Sequence, residues 1–334
     1  MSSEPEIQQS AAVSPRAAHS LRGYLFIASA TFLWGISATL GRAVFTGRLS
    51  WPGAVLRPID PLVLSQARST FSLLILLPAL LAVGGVSRVR MPRRDFIHCL
   101  ILGILGVAAS NYFYYVAIER TNVAIAIILQ YTAPIWVLFY VVAARQQRLT
   151  LQKVAAVGCA VTGIALAIGI VGQPGTKLRL DAYGLFAAML ASFSFAFYNV
   201  GGHKILARFD RWRVLAWTLA SASAFWIVVN PPWKIAAAHY SGAEWLFLAV
   251  FSLISVLAPF SLYFLGLQYL EPTRAIIGSC LEPVFSILLA ALLLGEGVRP
   301  IQTLGVVLVL AAIVIVQLPG RGMPRSSVVV EPIE

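Results

Sequence analysis

Ten apolar runs of roughly twenty residues follow one another along this chain, at 23–40, 62–84, 96–118, 123–143, 151–171, 182–202, 214–229, 244–267, 273–294 and 300–318. A helix needs about 20 such residues to cross a hydrocarbon core of about 30 Å. In lipid every backbone polar group must be satisfied internally, so runs of this length read as helices. Composition agrees. Hydrophobic residues make up 59% of the 334 and charged residues only 11%, against about 45–50% and about 25% in soluble chains. An ordinary soluble enzyme and a disordered chain are both excluded. The fold class is an all-α polytopic membrane protein with ten transmembrane helices.

A net charge of +12 would suggest a nucleic-acid partner in a soluble protein. Beside membrane spans, Arg and Lys set topology instead, and no nucleic acid is expected. With the amino terminus placed in the cytoplasm, 16 of the 25 Lys and Arg fall on the cytoplasmic side, 8 fall on the other, and Arg68 lies inside a span. Both termini are therefore expected in the cytoplasm, with 42–60 facing outward and the protein in a bacterial inner membrane. Residues 1–22 are polar and lack the order of a cleavable signal, so they read as a disordered cytoplasmic tail, as do 319–334. Cys99, Cys159 and Cys280 all fall in apolar runs and imply no disulfide framework.

The chain repeats itself. Shifted by 149 residues, 113–165 lies on 262–314 without a gap. Tyr114 meets Tyr263, Ala126-Ile127-Ile128 meets Ala275-Ile276-Ile277, Pro134 meets Pro283, Gln147 meets Glu296, and Ala156 meets Gly305. Each half holds five spans, an odd number, so the second enters the membrane upside down. The predicted organisation is two inverted five-helix repeats, 23–171 and 182–318, joined by an external linker at 172–181. This is a recurrent plan of secondary transporters.

Chemistry at membrane depth is sparse. Pro134 and Pro283 each sit in mid-span, where proline frees the carbonyl four residues back and kinks the helix. Those carbonyls belong to Gln130 and Ser279, and freed carbonyls are tolerated where they meet protein or line a wet cavity. Glu282 lies near mid-membrane, where a charge costs a few kcal/mol or more. It must be paired, protonated or facing water: a binding or proton-coupling group, or a carboxyl that ties two helices together. Further polar or aromatic groups at depth are Trp34, Asn111, Tyr114, Gln130, Tyr131, Tyr198, Asn199, Tyr263 and Ser279. Together with Glu282 they form the candidate substrate-binding set; each alone is also a normal interhelical hydrogen-bonding partner. Arg68 lies within a turn or two of its span's start and is expected to snorkel outward. The fifth and tenth spans carry few polar groups and are expected at the periphery. Glu296 reads as a helix-end residue. No phosphate-binding loop, no metal-ligand spacing and no catalytic set can be assembled, so no cofactor or metal is expected and the chain reads as no enzyme.

Phe32-Leu33-Trp34-Gly35, Asp60-Pro61 followed by Arg68, Ala126 with Pro134-Ile135, Leu281-Glu282-Pro283-Val284 through Leu294-Gly295-Glu296, and then Gln302 and Gly305 resemble the drug/metabolite transporter superfamily. The likeness is to its EamA-like ten-span members and covers about 22–318. It implies two inverted five-helix halves, both termini in the cytoplasm, and a central cavity opening to each side in turn. It also implies export or exchange of a small metabolite such as an amino acid or amine, with lipid and a small solute as partners. Too few cations lie at depth for a nucleotide sugar or phosphate ester, so the expected solute is neutral, zwitterionic or cationic. Protons are a candidate coupling ion, and a homodimer is left open. The alternative is a membrane-embedded enzyme or lipid-handling protein, and a passive channel ranks third. Two features depart from the family: Gln147 stands where the first half often carries Glu, and 48–58 looks like an insertion in the first external loop.

Overall fold

The computed structural model describes residues 15–45, 50–51, 54–121, 123–168, 181–294 and 299–318. Among them, nine helices are long and apolar enough to cross a membrane: Ser20–Gly41, Leu62–Arg88, Arg93–Arg120, Ile125–Ala143, Ala182–Leu206, Arg211–Val229, Gly242–Tyr269, Pro272–Leu289 and Pro300–Gln317. The shorter apolar helix Leu151–Ala167 completes ten, and they are numbered first to tenth in chain order. The face where the first span begins and the tenth ends is called the terminal face.

One boundary differs from the sequence reading. The first helix begins at Pro15, so 15–22 is helix rather than disordered tail. No Gly or Pro lies between Pro15 and Gly23, Ala and Arg there favour helix, and proline is tolerated at a helix start. The fifth helix is described over Leu151–Ala167, and 169–171 of the run read from hydropathy lie outside the described residues. Residues 1–14, 319–334, Glu296 and all of the 172–181 linker except Asp181 lie outside the described residues. The 48–58 segment contains a small antiparallel pair, Ser50–Trp51 with Ala54–Val55.

Span starts are set by local chemistry. Asp60, Asp181 and Asp210 cap the second, sixth and seventh spans, each accepting from an amide of the first turn. Ser241 and Glu244 form a reciprocal capping box at the head of the eighth.

The two halves share their irregularities. The third and eighth spans are each 28 residues long. Each carries a π-helical stretch, Leu102–Ala108 and Leu253–Leu257, and both stretches end in the 149-residue register. The fourth span is interrupted between Val123–Gln130 and Ala133–Ala143, and the ninth between Pro272–Ser279 and Leu281–Leu294. Each interruption lies just ahead of a proline in the first turn of the following piece, where a missing N–H costs nothing.

Packing crosses between the halves. The first span lies on the eighth and ninth, and the sixth lies on the third and fourth. The second packs on the seventh and the fifth on the tenth. A two-fold axis in the membrane plane relates these contacts, as two inverted five-helix repeats require. The fifth and tenth spans cross at Gly163 and Gly305. A Cβ at Gly305 would stand 2.3 Å from the Ala167 amide nitrogen and 2.5 Å from the Gly163 carbonyl, so the backbones touch directly. Their outer faces, with Leu151, Val154, Leu304 and Val307, are exposed to lipid. Trp226, Tyr198, Tyr263, Phe247 and Phe264 are the bulkiest wholly buried side chains.

Candidate functional site

The interruption in the fourth span places Tyr131 at the break, and that in the ninth places Glu282 at the second residue of the outer piece. The two side chains lie within electrostatic reach of each other. Tyr114 of the third span and Arg68 of the second lie within electrostatic reach of the same carboxyl. Glu282 is ringed by protein yet remains partly accessible, as do Tyr114, Gln130 and Asn111. Gln130 Nε2 donates to Ser110 Oγ at 3.5 Å, and Asn111 Nδ2 to the Val107 carbonyl at 2.8 Å.

The rest of the candidate set lies in the packed interior. Asn199 Nδ2 donates to the Tyr263 hydroxyl, and both residues are 0% exposed. Trp34 packs its ring 5.4 Å from Tyr263 and 5.2 Å from Phe260. Tyr198 stacks on Phe264 at 5.3 Å. Ser279 Oγ donates to the Ile276 carbonyl at 2.7 Å, one turn back on its own helix. These groups form a shell behind Tyr131 and Glu282.

Arg68 was expected to snorkel outward and does not. Its Nη2 donates to the Ser255 carbonyl at 3.1 Å, inside the π-helical stretch of the eighth span. Its guanidinium lies over the Phe251 ring at 5.9 Å, and its Nε is buried with no hydrogen-bond partner. A π turn shifts backbone carbonyls out of the regular ladder and offers one here. The available sign of this direction was the polar run Ser65, Gln66, Ser69 and Ser72 around Arg68, all of which turn inward. Gln147, the residue that departs from the family pattern, donates through Nε2 to Glu271 Oε2 at 3.1 Å, and its Oε1 accepts from Thr273 at 3.3 Å.

The two membrane halves of the site differ. Toward the terminal face, Ala133–Ala143 packs against Pro272–Ser279, and Gln147 bridges the loops above them. Toward the opposite face, Val123–Gln130 packs on the sixth span while Leu281–Leu294 packs on the first. The outer pieces of the fourth and ninth spans therefore lean on different neighbours, and the inner pieces lean on each other.

Broken spans from two inverted repeats, meeting at a polar group at mid-membrane, define a membrane transporter. The sequence profile of the EamA-like transporter family matches residues 21–169 and again 182–318, once in each half, and the chain belongs to that family. It is 26% identical over 310 residues to the uncharacterized inner membrane transporter YicL of Salmonella typhimurium, covering 92% of this chain and 98% of that one. It is 25% identical to an uncharacterized transporter of Archaeoglobus fulgidus, over 77% of this chain and 86% of the relative. The uncharacterized inner membrane transporter YedA of Escherichia coli K12 is also 25% identical, over 89% and 91%. A solved crystal structure superposes with a TM-score of 0.70 at 21% identity, covering 90% of this chain and 97% of its own, and shares the fold.

Proposed function

We propose that this protein is a secondary transporter, an exporter or exchanger, of a small neutral, zwitterionic or cationic metabolite such as an amino acid or amine. It works by alternating access, in the inner membrane, with both termini in the cytoplasm. The observation that carries the reading is Glu282: a carboxyl deep in the membrane, partly accessible, within electrostatic reach of Tyr131 at the break of the opposite repeat. Such a group exchanges a proton or a substrate ammonium as the cavity changes sides. Tyr114 and Tyr131 supply π faces that suit a cation or an apolar moiety. The bonds of Gln147 to Glu271 and Thr273 support a reading in which the terminal face is closed.

The test is flux in vesicles of purified protein, with and without a proton gradient, over a panel of radiolabelled amino acids and amines. Glu282→Gln keeps size and hydrogen-bonding capacity but cannot cycle a proton. It should insert and fold normally yet lose gradient-driven, pH-dependent flux. Unchanged flux with unchanged pH dependence would assign Glu282 to helix tethering alone.

A further inference from the structure

Two ion pairs join the halves, one on each face. On the face opposite the termini, Arg57 Nε and Nη2 donate to Glu244 Oε1 and Oε2 at 3.0 and 2.9 Å. The Arg57 amide adds a bond to Oε1 at 3.2 Å, and Nη2 also reaches the His239 carbonyl at 2.7 Å. On the terminal face, Arg208 Nη1 donates to Asp95 Oδ1 at 2.5 Å.

The pairs are built alike. Glu244 and Asp95 are each the third residue of a 28-residue span, in the 149-residue register of the repeat. Both acids are almost wholly buried, with side chains 3% and 4% exposed, while their arginines stand at the rim at 56% and 60%. Arg57 shortly precedes Asp60, the cap of the second span, and Arg208 shortly precedes Asp210, the cap of the seventh. In each pair the arginine belongs to one half and the acid to the other. The two-fold axis turns one pair into the other.

This symmetry has a mechanical meaning. When inverted repeats alternate, the halves exchange conformations, so a contact closed on one face in one state is closed on the other face in the next. The contact of the inner pieces of the fourth and ninth spans behaves as such a gate, shut on the terminal face and unmatched on the other. The ion pairs do not. Both are shut in one and the same asymmetric state, and exchanging the halves returns a state in which both are shut again. We propose that Arg57–Glu244 and Asp95–Arg208 are positioning pairs that stay closed through the whole cycle. They fasten the second span to the eighth and the third to the seventh as the fixed frame against which the fourth and ninth spans swing. This rests on the alternating-access reading above.

The experiment is distance measurement by double electron–electron resonance in lipid nanodiscs, on protein freed of thiols by Cys99→Ala, Cys159→Ala and Cys280→Ala. Spin labels go beside the pairs, leaving the pairs intact: Pro58→Cys with Ala238→Cys, and Arg94→Cys with Ala207→Cys. A third label pair spans the gate, Arg148→Cys with Arg274→Cys. Each is read at acid and alkaline pH, with Glu282 and with Glu282→Gln. The expected result is a gate distance that shifts or splits into two populations while both fastener distances hold one population throughout. A fastener distance that moves with the gate overturns the proposal and leaves alternating access standing. A gate distance that never changes under any condition overturns both.

Discussion

Tyr263→Phe is the sharpest test of how the interior shell is held. The substitution removes one oxygen from a side chain that is 0% exposed and leaves its ring contacts with Trp34 in place. What it strips away is the acceptor of the Asn199 amide. Asn199 Oδ1 already lacks a partner, so the variant would bury a wholly unpaired carboxamide. Leaving a buried polar group unsatisfied costs about 1–3 kcal/mol in soluble proteins. Interhelical hydrogen bonds in membranes average only about 0.6 kcal/mol, with a maximum near 1.7, because the unfolded chain in lipid also finds partners. The pair joins the sixth and eighth spans and is sealed from solvent, which favours the upper part of that membrane range. A loss of about 1–1.5 kcal/mol is expected, read as equilibrium unfolding by SDS in mixed micelles. Adding Asn199→Leu should recover most of it, since replacing both partners by apolar groups is close to neutral. Flux per folded molecule should be unchanged, because neither residue is accessible in the cavity. A Tyr263→Phe variant as stable as the parent, or a double variant worse than the single, would refute this account of the shell.

Three further outcomes follow from the geometry. Gly305→Ala places a methyl 2.3 Å from the Ala167 amide nitrogen, where only backbone can give way; a loss of about 1–3 kcal/mol in the same unfolding assay is expected. Ser241→Ala removes half of the capping box at the head of the eighth span and should cost about 1 kcal/mol, while Ser241→Asp should cost much less. Arg68→Gln retains a donor for the Ser255 carbonyl but removes the charge facing Glu282, so it should fold yet shift the pH dependence of vesicle flux; an unmoved profile would place Arg68 in structure alone.

Hydropathy was enough to read the spans, because length and apolarity are all that crossing a membrane asks of a helix. It was not enough to read which way a side chain points. The second span carries Ser65, Gln66, Ser69 and Ser72 beside Arg68, a polar face that turns inward, but the carbonyl Arg68 meets comes from a π turn that leaves no mark in composition. The interruption ahead of Pro134 and Pro283 follows from proline's missing N–H, whereas the approach of Tyr131 to Glu282 depends on how two halves meet and has no local signal. Arg57 and Arg208 passed for topology markers at span ends, and Asp95 and Glu244 were not singled out. The register shared by Asp95 and Glu244 was the available clue, lying just beyond the stretch where the repeat aligns by residue identity. The amino-terminal tail boundary shifted for a simpler reason: helix continues wherever no residue stops it, whether or not the segment is apolar.

The crossed packing of the halves also bears on how the protein is made. The first span emerges from the ribosome before all others, yet its neighbours are the eighth and ninth. The fifth finds its closest partner only in the tenth, the last to be synthesised. Through most of translation these two helices must wait in the bilayer as isolated, stable inserts, their small-residue faces against lipid. Assembly of the bundle is therefore a late, concerted event, gated by arrival of the final span. A ribosome stalled before Pro300 would hold a chain whose fifth helix lacks its main partner, a natural substrate for membrane quality control.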